Sequence, residues 1–175
     1  MPAENKTIVF SVLLSFSILQ NIFLVLTILQ NIMSIKKKFE FIDITTADTA
    51  FIAYGKDLNE LFANAALAMF EVMIDTKKVD AKVKKEVAVD GNDLQSLLFN
   101  WLNKLLVYVD AENLVFSKFD VNVDEKKLKL KAICSGEKIN KKKHETRTEV
   151  KSCTYHQMKI EKIKSGWKAQ VILDI

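Results

Sequence analysis

Two aspartates interrupt a run that otherwise reads as a buried strand: in FIDITTADTAFIAYG, from Phe41 to Gly55, Asp43 and Asp48 stand among apolar residues and threonines. A carboxylate in such company loses hydration, which is costly unless a cation or hydrogen bonds compensate. Asp48 is the sharper candidate for a cation ligand. The plain alternative is a turn aspartate that bonds its own backbone. Asp174 is the second candidate. The chain ends VILDI, so its carboxylate lies next to the α-carboxylate of Ile175. The plain alternative there is a frayed, solvated terminus, although the preceding residues are apolar enough to be tied into a sheet. Brought near Asp48, this tail would make an oxygen-rich corner suited to Ca2+, with Mg2+ as the alternative, rather than to zinc. Spacing alone does not bring the two ends together.

The remaining chemistry-bearing residues point less sharply. His144 and His156 are the only histidines, and their separation matches no zinc spacing. Structural hydrogen bonding is the expected role for both. Cys134 and Cys153 lack a C-x-x-C spacing and suit a core in a reducing compartment better than a disulfide framework. No nucleophile elbow, phosphate-binding glycine loop or H-E-x-x-H motif occurs. Lysines 36–38 and 141–143 read as solvated faces, or as contacts for RNA phosphates or an acidic partner. The formal charge of +4 over 175 residues permits nucleic-acid contact without arguing for it.

The elements that must position these residues are legible in part. Residues 39–42 and 49–54 read as strands. Asp57 and Glu60 have capping-box spacing, and Leu58, Leu61, Phe62, Ala65, Met69, Val72 and Met73 follow with helical period. A strand through Val83, Val87 and Val89 closes at Asp90-Gly91. Asn92 or Asp93 then caps a second helix carrying Leu94, Leu97, Leu98, Trp101 and Leu105 on its apolar face. Phe119, Val121 and Val123, a turn at 124–127, and Leu128, Leu130, Ala132 and Cys134 make a hairpin. Residues 149–155, 157–163 and 167–175 are three further strand candidates, the last two joined across Ser165-Gly166. The expected fold is α+β: two helices packed on one face of a mostly antiparallel sheet of about seven strands.

Residues 1–35 stand apart. Residues 7–35 carry no charge and could cross a bilayer, and ILQNI occurs twice within them. As an anchor, they would be followed by lysines 36–38, which would hold residues 36–175 on the cytoplasmic side. The competing expectation is a translation start at Met33, with the glutamines and asparagines at 20–21 and 30–31 ill suited to a membrane interior. No small-residue cleavage site of a secretory signal is visible.

From about Lys38 to the end, the sequence resembles the archease family at several separated places. Thr46-Ala47-Asp48 with Ala53-Tyr54-Gly55 is similar to the family's opening D-H-T-A-D…A-Y-G block. The run LFANAALAMF from Leu61 resembles its first helix, and Asp93-Leu94 through Trp101-Leu102-Asn103 its second. His144, Thr148-Glu149-Val150-Lys151 and Thr154-Tyr155-His156 resemble its late H…E-V-K-A-x-T-Y-H signature. Gly166-Trp167 and the tail complete the likeness. Two departures stand out. Asp43-Ile44-Thr45-Thr46 replaces the opening D-H-T, one residue longer and without the histidine. Ser152-Cys153 replaces a small and an aliphatic residue.

The resemblance implies a cytoplasmic, non-enzymatic activator of the GTP-dependent RtcB-type RNA ligase of tRNA splicing, which promotes ligase guanylylation and repeated turnover. It also implies a metal site, usually described with calcium, formed by Asp48, Asp174 and the terminal carboxylate of Ile175. Asp43, Thr46, Glu149, Lys151 and His156 are the supporting residues it suggests. Some family members are described as chaperone-like modulators of a tRNA methyltransferase, so that enzyme or tRNA is a further expected partner. Read without the resemblance, the residues leave two rivals open: a metal-dependent phosphoesterase using the acidic corner, and an RNA-binding chaperone working through the lysine faces. Oligomeric state is not specified by the sequence.

Overall fold

A computed structural model of the chain describes residues 18–26, 37–42 and 48–175, with Asp48 described in its backbone. The chain divides into two compact units, Met1–Lys36 and Lys37–Ile175. In the first, residues 18–26 are helical and their apolar side chains are largely exposed. Among the described residues, no helix is long and apolar enough to cross a membrane. The rest of the segment considered as an anchor, the start at Met33, and Asp43, Thr46 and Lys36 lie outside the described residues.

The second unit runs β1 (Phe39–Ile42), β2 (Asp48–Gly55), α1 (Leu58–Met73), a 3-10 turn (Thr76–Lys78), β3 (Val83–Asp90), α2 (Leu94–Glu112), β4 (Leu114–Asp124), β5 (Lys129–Lys138), β6 (Ser152–Ile163) and β7 (Gly166–Asp174). Its helices start where the sequence places them. The Asp57 carboxylate accepts from the Glu60 amide at 2.9 Å. The reciprocal arm lands one residue early: Glu60 accepts from the Lys56 amide at 2.8 Å. Asp93 caps α2 by accepting from the Ser96 amide, and the Ser96 hydroxyl accepts in return from the Asp93 amide at 3.0 Å. Serine thus fills the place that glutamate takes in the usual box. Asn113 ends α2 in the left-handed conformation.

The strands form two antiparallel sheets rather than the expected single one. One has the order β1-β2-β7-β6, the other β3-β5-β4. Helix α1 packs against β2 of the first sheet and β4 of the second; α2 packs against β6 and β3. The helices therefore lie between the sheets, and α1 is buried on nearly every side, with Ala65, Ala66 and Ala68 allowing close approach. The alternating pattern of each strand shows which face is buried. It does not show which other strand shares that face, and this is why two half-covered sheets read like one.

Trp101 sits at the centre of the core, fully buried, and its indole N–H donates to the Phe62 carbonyl of α1 at 3.1 Å. Trp101→Phe keeps the ring but removes this donor and part of the volume. It is expected to lower unfolding stability by about 1–2 kcal/mol, read as a lower urea midpoint at unchanged slope.

Residues 157–163 do not form a strand separate from those before them. They continue β6 across a bulge: the register with β7 shifts between Thr154 and Lys159, and Gln157 takes φ 51°. The β6–β7 hairpin turns over Lys164 and Ser165, with Ile163 opposite Gly166.

Candidate functional site

The four-stranded sheet brings together the two acids that the sequence keeps far apart. Strand β2 begins at Asp48, β7 ends at Asp174, and the two run antiparallel as neighbours with Asp48 directly opposite Asp174. On the other side of β7, Asp174 stands opposite Ser152, the first residue of β6. Positions 48, 174 and 152 thus form one row across three strands at one end of the sheet. Directly opposed residues in an antiparallel pair lie about 4.5–5.5 Å apart and share a face.

Residues around this row tie the tail in place. The Lys151 amide donates to the Asp174 carbonyl at 2.9 Å. The Lys151 ammonium donates to the Ile175 carbonyl oxygen at 2.8 Å. The tail is therefore held through backbone and side chain rather than frayed. Asp174 is exposed, and its carboxylate has no hydrogen-bond or ion-pair partner among the described residues. Glu149 is exposed and lines a cleft of about 580 Å3 with Asp110, Asn113 and Arg147.

His156 is not part of the row. It lies exposed on the β6 bulge, 3.4 Å from the Gln157 side chain, beyond Thr154, whose hydroxyl donates to the Ile172 carbonyl. The bulge turns this segment out of register, so spacing along the chain misleads there. His144 is a structural histidine. It is buried, its Nδ1 accepts from the Asn140 amide at 3.0 Å, and its Nε2 lies 3.1 Å from a Glu137 carboxylate oxygen. An Nδ1 that accepts leaves the proton on Nε2, which donates to Glu137. Both cysteines are buried, and burial pushes each thiol up to about 12, which suits a core residue and not a nucleophile.

Two residues at or near this end of the domain were not singled out from the sequence. Ser152 is visible only through strand register. Glu137 accepts from Lys143, from Lys82 at 2.8 Å, from the Asp80 amide at 2.8 Å and from His144. The lysines, Lys143 first, hold its carboxyl well below the usual carboxylate range. Its partners come from separate segments, so no local motif marks it.

The donors gathered at the row are all oxygens: two aspartates and a terminal carboxylate, with a hydroxyl alongside. That set fits a hard divalent cation and not zinc or a redox metal. Among the described residues, no group of three or more histidine, cysteine, aspartate or glutamate side chains is placed to hold a metal.

Fold and site together define a small α+β protein with two helices between antiparallel sheets and an acidic sheet end formed by its own tail. Comparison with known proteins carries this further. Residues 39–175 match the Archease protein family (MTH1598/TM1083), and the chain belongs to that family. Protein archease of Sulfurisphaera tokodaii is 52% identical over 139 residues, covering 79% of this chain and 99% of that one. Protein archease of Methanothermobacter thermautotrophicus is 50% identical over 141 residues, with the same coverage. The solution structure of Methanobacterium thermoautotrophicum protein 1598 superposes with a TM-score of 0.70 at 48% identity, covering 79% of this chain and 99% of that one. The crystal structure of a Thermotoga maritima archease, described as a possible chaperone, superposes with a TM-score of 0.54 at 22% identity, covering 75% and 93%, and supports the fold alone.

Proposed function

We propose that this archease-family chain activates an RtcB-type RNA ligase of tRNA splicing, docking the acidic end of its four-stranded sheet beside the ligase's reaction centre. The observation that carries this reading is the register that sets Asp48 opposite Asp174. Asp48, Asp174 and the Ile175 carboxylate would hold a divalent cation, Ca2+ in the first instance. When bound, the ion supplies a compact positive charge that orients phosphate oxygens. The chain's own residues do the positioning. Lys151 anchors the tail, and the β2–β7 ladder holds both acids on one rigid edge. The chain supplies no paired nucleophile and base at this row, which favours an activator over a phosphoesterase.

The test is multiple-turnover ligation by a partner ligase with and without this protein. Wild-type protein is expected to raise turnover, and Asp48→Ala and Asp174→Ala each to remove at least about tenfold of that stimulation. Full stimulation by both variants would take these residues out of the mechanism. Nucleotide hydrolysis by the protein alone would replace the activator reading with an enzymatic one.

A further inference from the structure

Strand β6 brings a third oxygen to the acidic row. Position 152 faces Asp174 from one side as Asp48 does from the other. The Ser152 side chain is half-buried, and its hydroxyl has no hydrogen-bond partner among the described residues. The next hydroxyl along the same strand, Thr154, is already committed to the Ile172 carbonyl at 3.3 Å. Lys151, immediately before the serine, is fastened to Asp174 through its amide and to Ile175 through its ammonium. The start of β6 is therefore held at the row. An uncommitted hydroxyl there meets an unpartnered Asp174 carboxylate.

We infer that the Ser152 hydroxyl is a neutral oxygen ligand of the cation site and sets its preference for Ca2+ over Mg2+. This rests on the cation reading of the Asp48–Asp174 row given above. Ca2+ accepts six to eight oxygens in adaptable geometry, whereas Mg2+ demands near-ideal octahedral geometry and gives up its waters reluctantly. A protein oxygen from a third strand raises the ligand count without adding charge. That gain goes to the larger ion.

The experiment is titration calorimetry of the full chain with CaCl2 and, separately, MgCl2, on wild type, Ser152→Ala, Ser152→Thr and Asp174→Ala, each first checked for an unchanged metal-free thermal melt. Wild type is expected to bind Ca2+ more tightly than Mg2+. Ser152→Ala should weaken Ca2+ binding on the order of tenfold and Mg2+ binding less, while Ser152→Thr, which keeps a hydroxyl, stays near wild type. If Asp174→Ala loses Ca2+ binding and Ser152→Ala does not, the serine is not a ligand although the acidic site stands. If Ser152→Ala and Ser152→Thr weaken binding alike, packing rather than the hydroxyl is responsible, and the inference falls. If wild type binds neither ion, the cation reading itself fails.

Discussion

Gly136→Ala is expected to leave little folded protein. Gly136 lies in β5, the middle strand of the three-stranded sheet, opposite Val83 on one side and Phe116 on the other. A Cβ built there would stand 1.8 Å from the Val115 carbonyl oxygen and 2.7 Å from the Phe116 Cα. Both are backbone atoms, so no side-chain rotation relieves the overlap. Nor can β5 slide away, because it is hydrogen-bonded to a neighbour on each side. Strand β4 already departs from regular pairing here, with its register shifting between Phe116 and Lys118, and the glycine makes that close approach sterically free. Separating the strands would break ladder bonds and lift Phe116 and Leu114 out of the core. The expected loss is more than about 4 kcal/mol, a large share of the ~5–15 kcal/mol available to a domain of this kind. Soluble yield and the thermal melt by circular dichroism measure it. A melt within a few degrees of wild type would show that β4 and β5 are not packed as described.

The local part of this architecture is readable because local rules decide it. Asp57 and Asp93 announce both helix starts, and the 3.6-residue spacing of Leu61, Phe62, Ala65 and Met69, and of Leu94, Leu97, Leu98 and Trp101, carries the bodies. The β4–β5 hairpin follows from alternation on both sides of a polar turn. The division into two sheets is decided by contacts remote in sequence. Helix α1 is buried toward both sheets, yet its composition distinguishes only buried from exposed. The β6 bulge escapes for a related reason. Tyr155, His156 and Gln157 are all exposed, and their polarity reads as a break between strands when it marks an insertion within one.

The site shows the same boundary. Asp48 stands out because a carboxylate in an apolar strand needs an explanation, and Asp174 because it shares the tail with another carboxylate. That they face one another depends on β7 pairing with β2, which is a tertiary choice. Ser152 raises no question by itself, since an isolated serine at a strand end is ordinary. Glu137 is quieter still. Its donors are Lys82 and the Asp80 amide ahead of β3, and Lys143 and His144 beyond β5. Only the folded arrangement draws them onto one carboxylate.

That convergence carries the second large prediction. Residues 139–151 link β5 to β6 without forming a strand or helix, and they reach the site through Lys151. Glu137 fixes their first half through Lys143 and His144. Their second half is fixed elsewhere, by the Arg147 amide on the Met73 carbonyl at 2.8 Å and the Arg147 guanidinium on Glu71 at 2.8 Å. Glu137→Gln replaces an acceptor-only carboxylate with a group that must present an amide to two ammoniums, a backbone N–H and a buried imidazole N–H. The lysines can turn to water; the His144 N–H cannot. A loss of about 3 kcal/mol is expected, with faster amide exchange confined to residues 139–148. The pH dependence has a fixed sign. Glu137 ordinarily titrates near 4.5, and its lysine partners hold it lower in the fold. Its contribution is therefore fully present above that ordinary value. It is lost as the pH falls below it toward the depressed folded value, because the unfolded chain takes up the proton first. Urea midpoints measured from about pH 6 down to about pH 3 should show wild type and Glu137→Gln far apart at the upper end and converging at the lower. A gap that stays constant across the range would mean the carboxylate's charge is not what holds this segment.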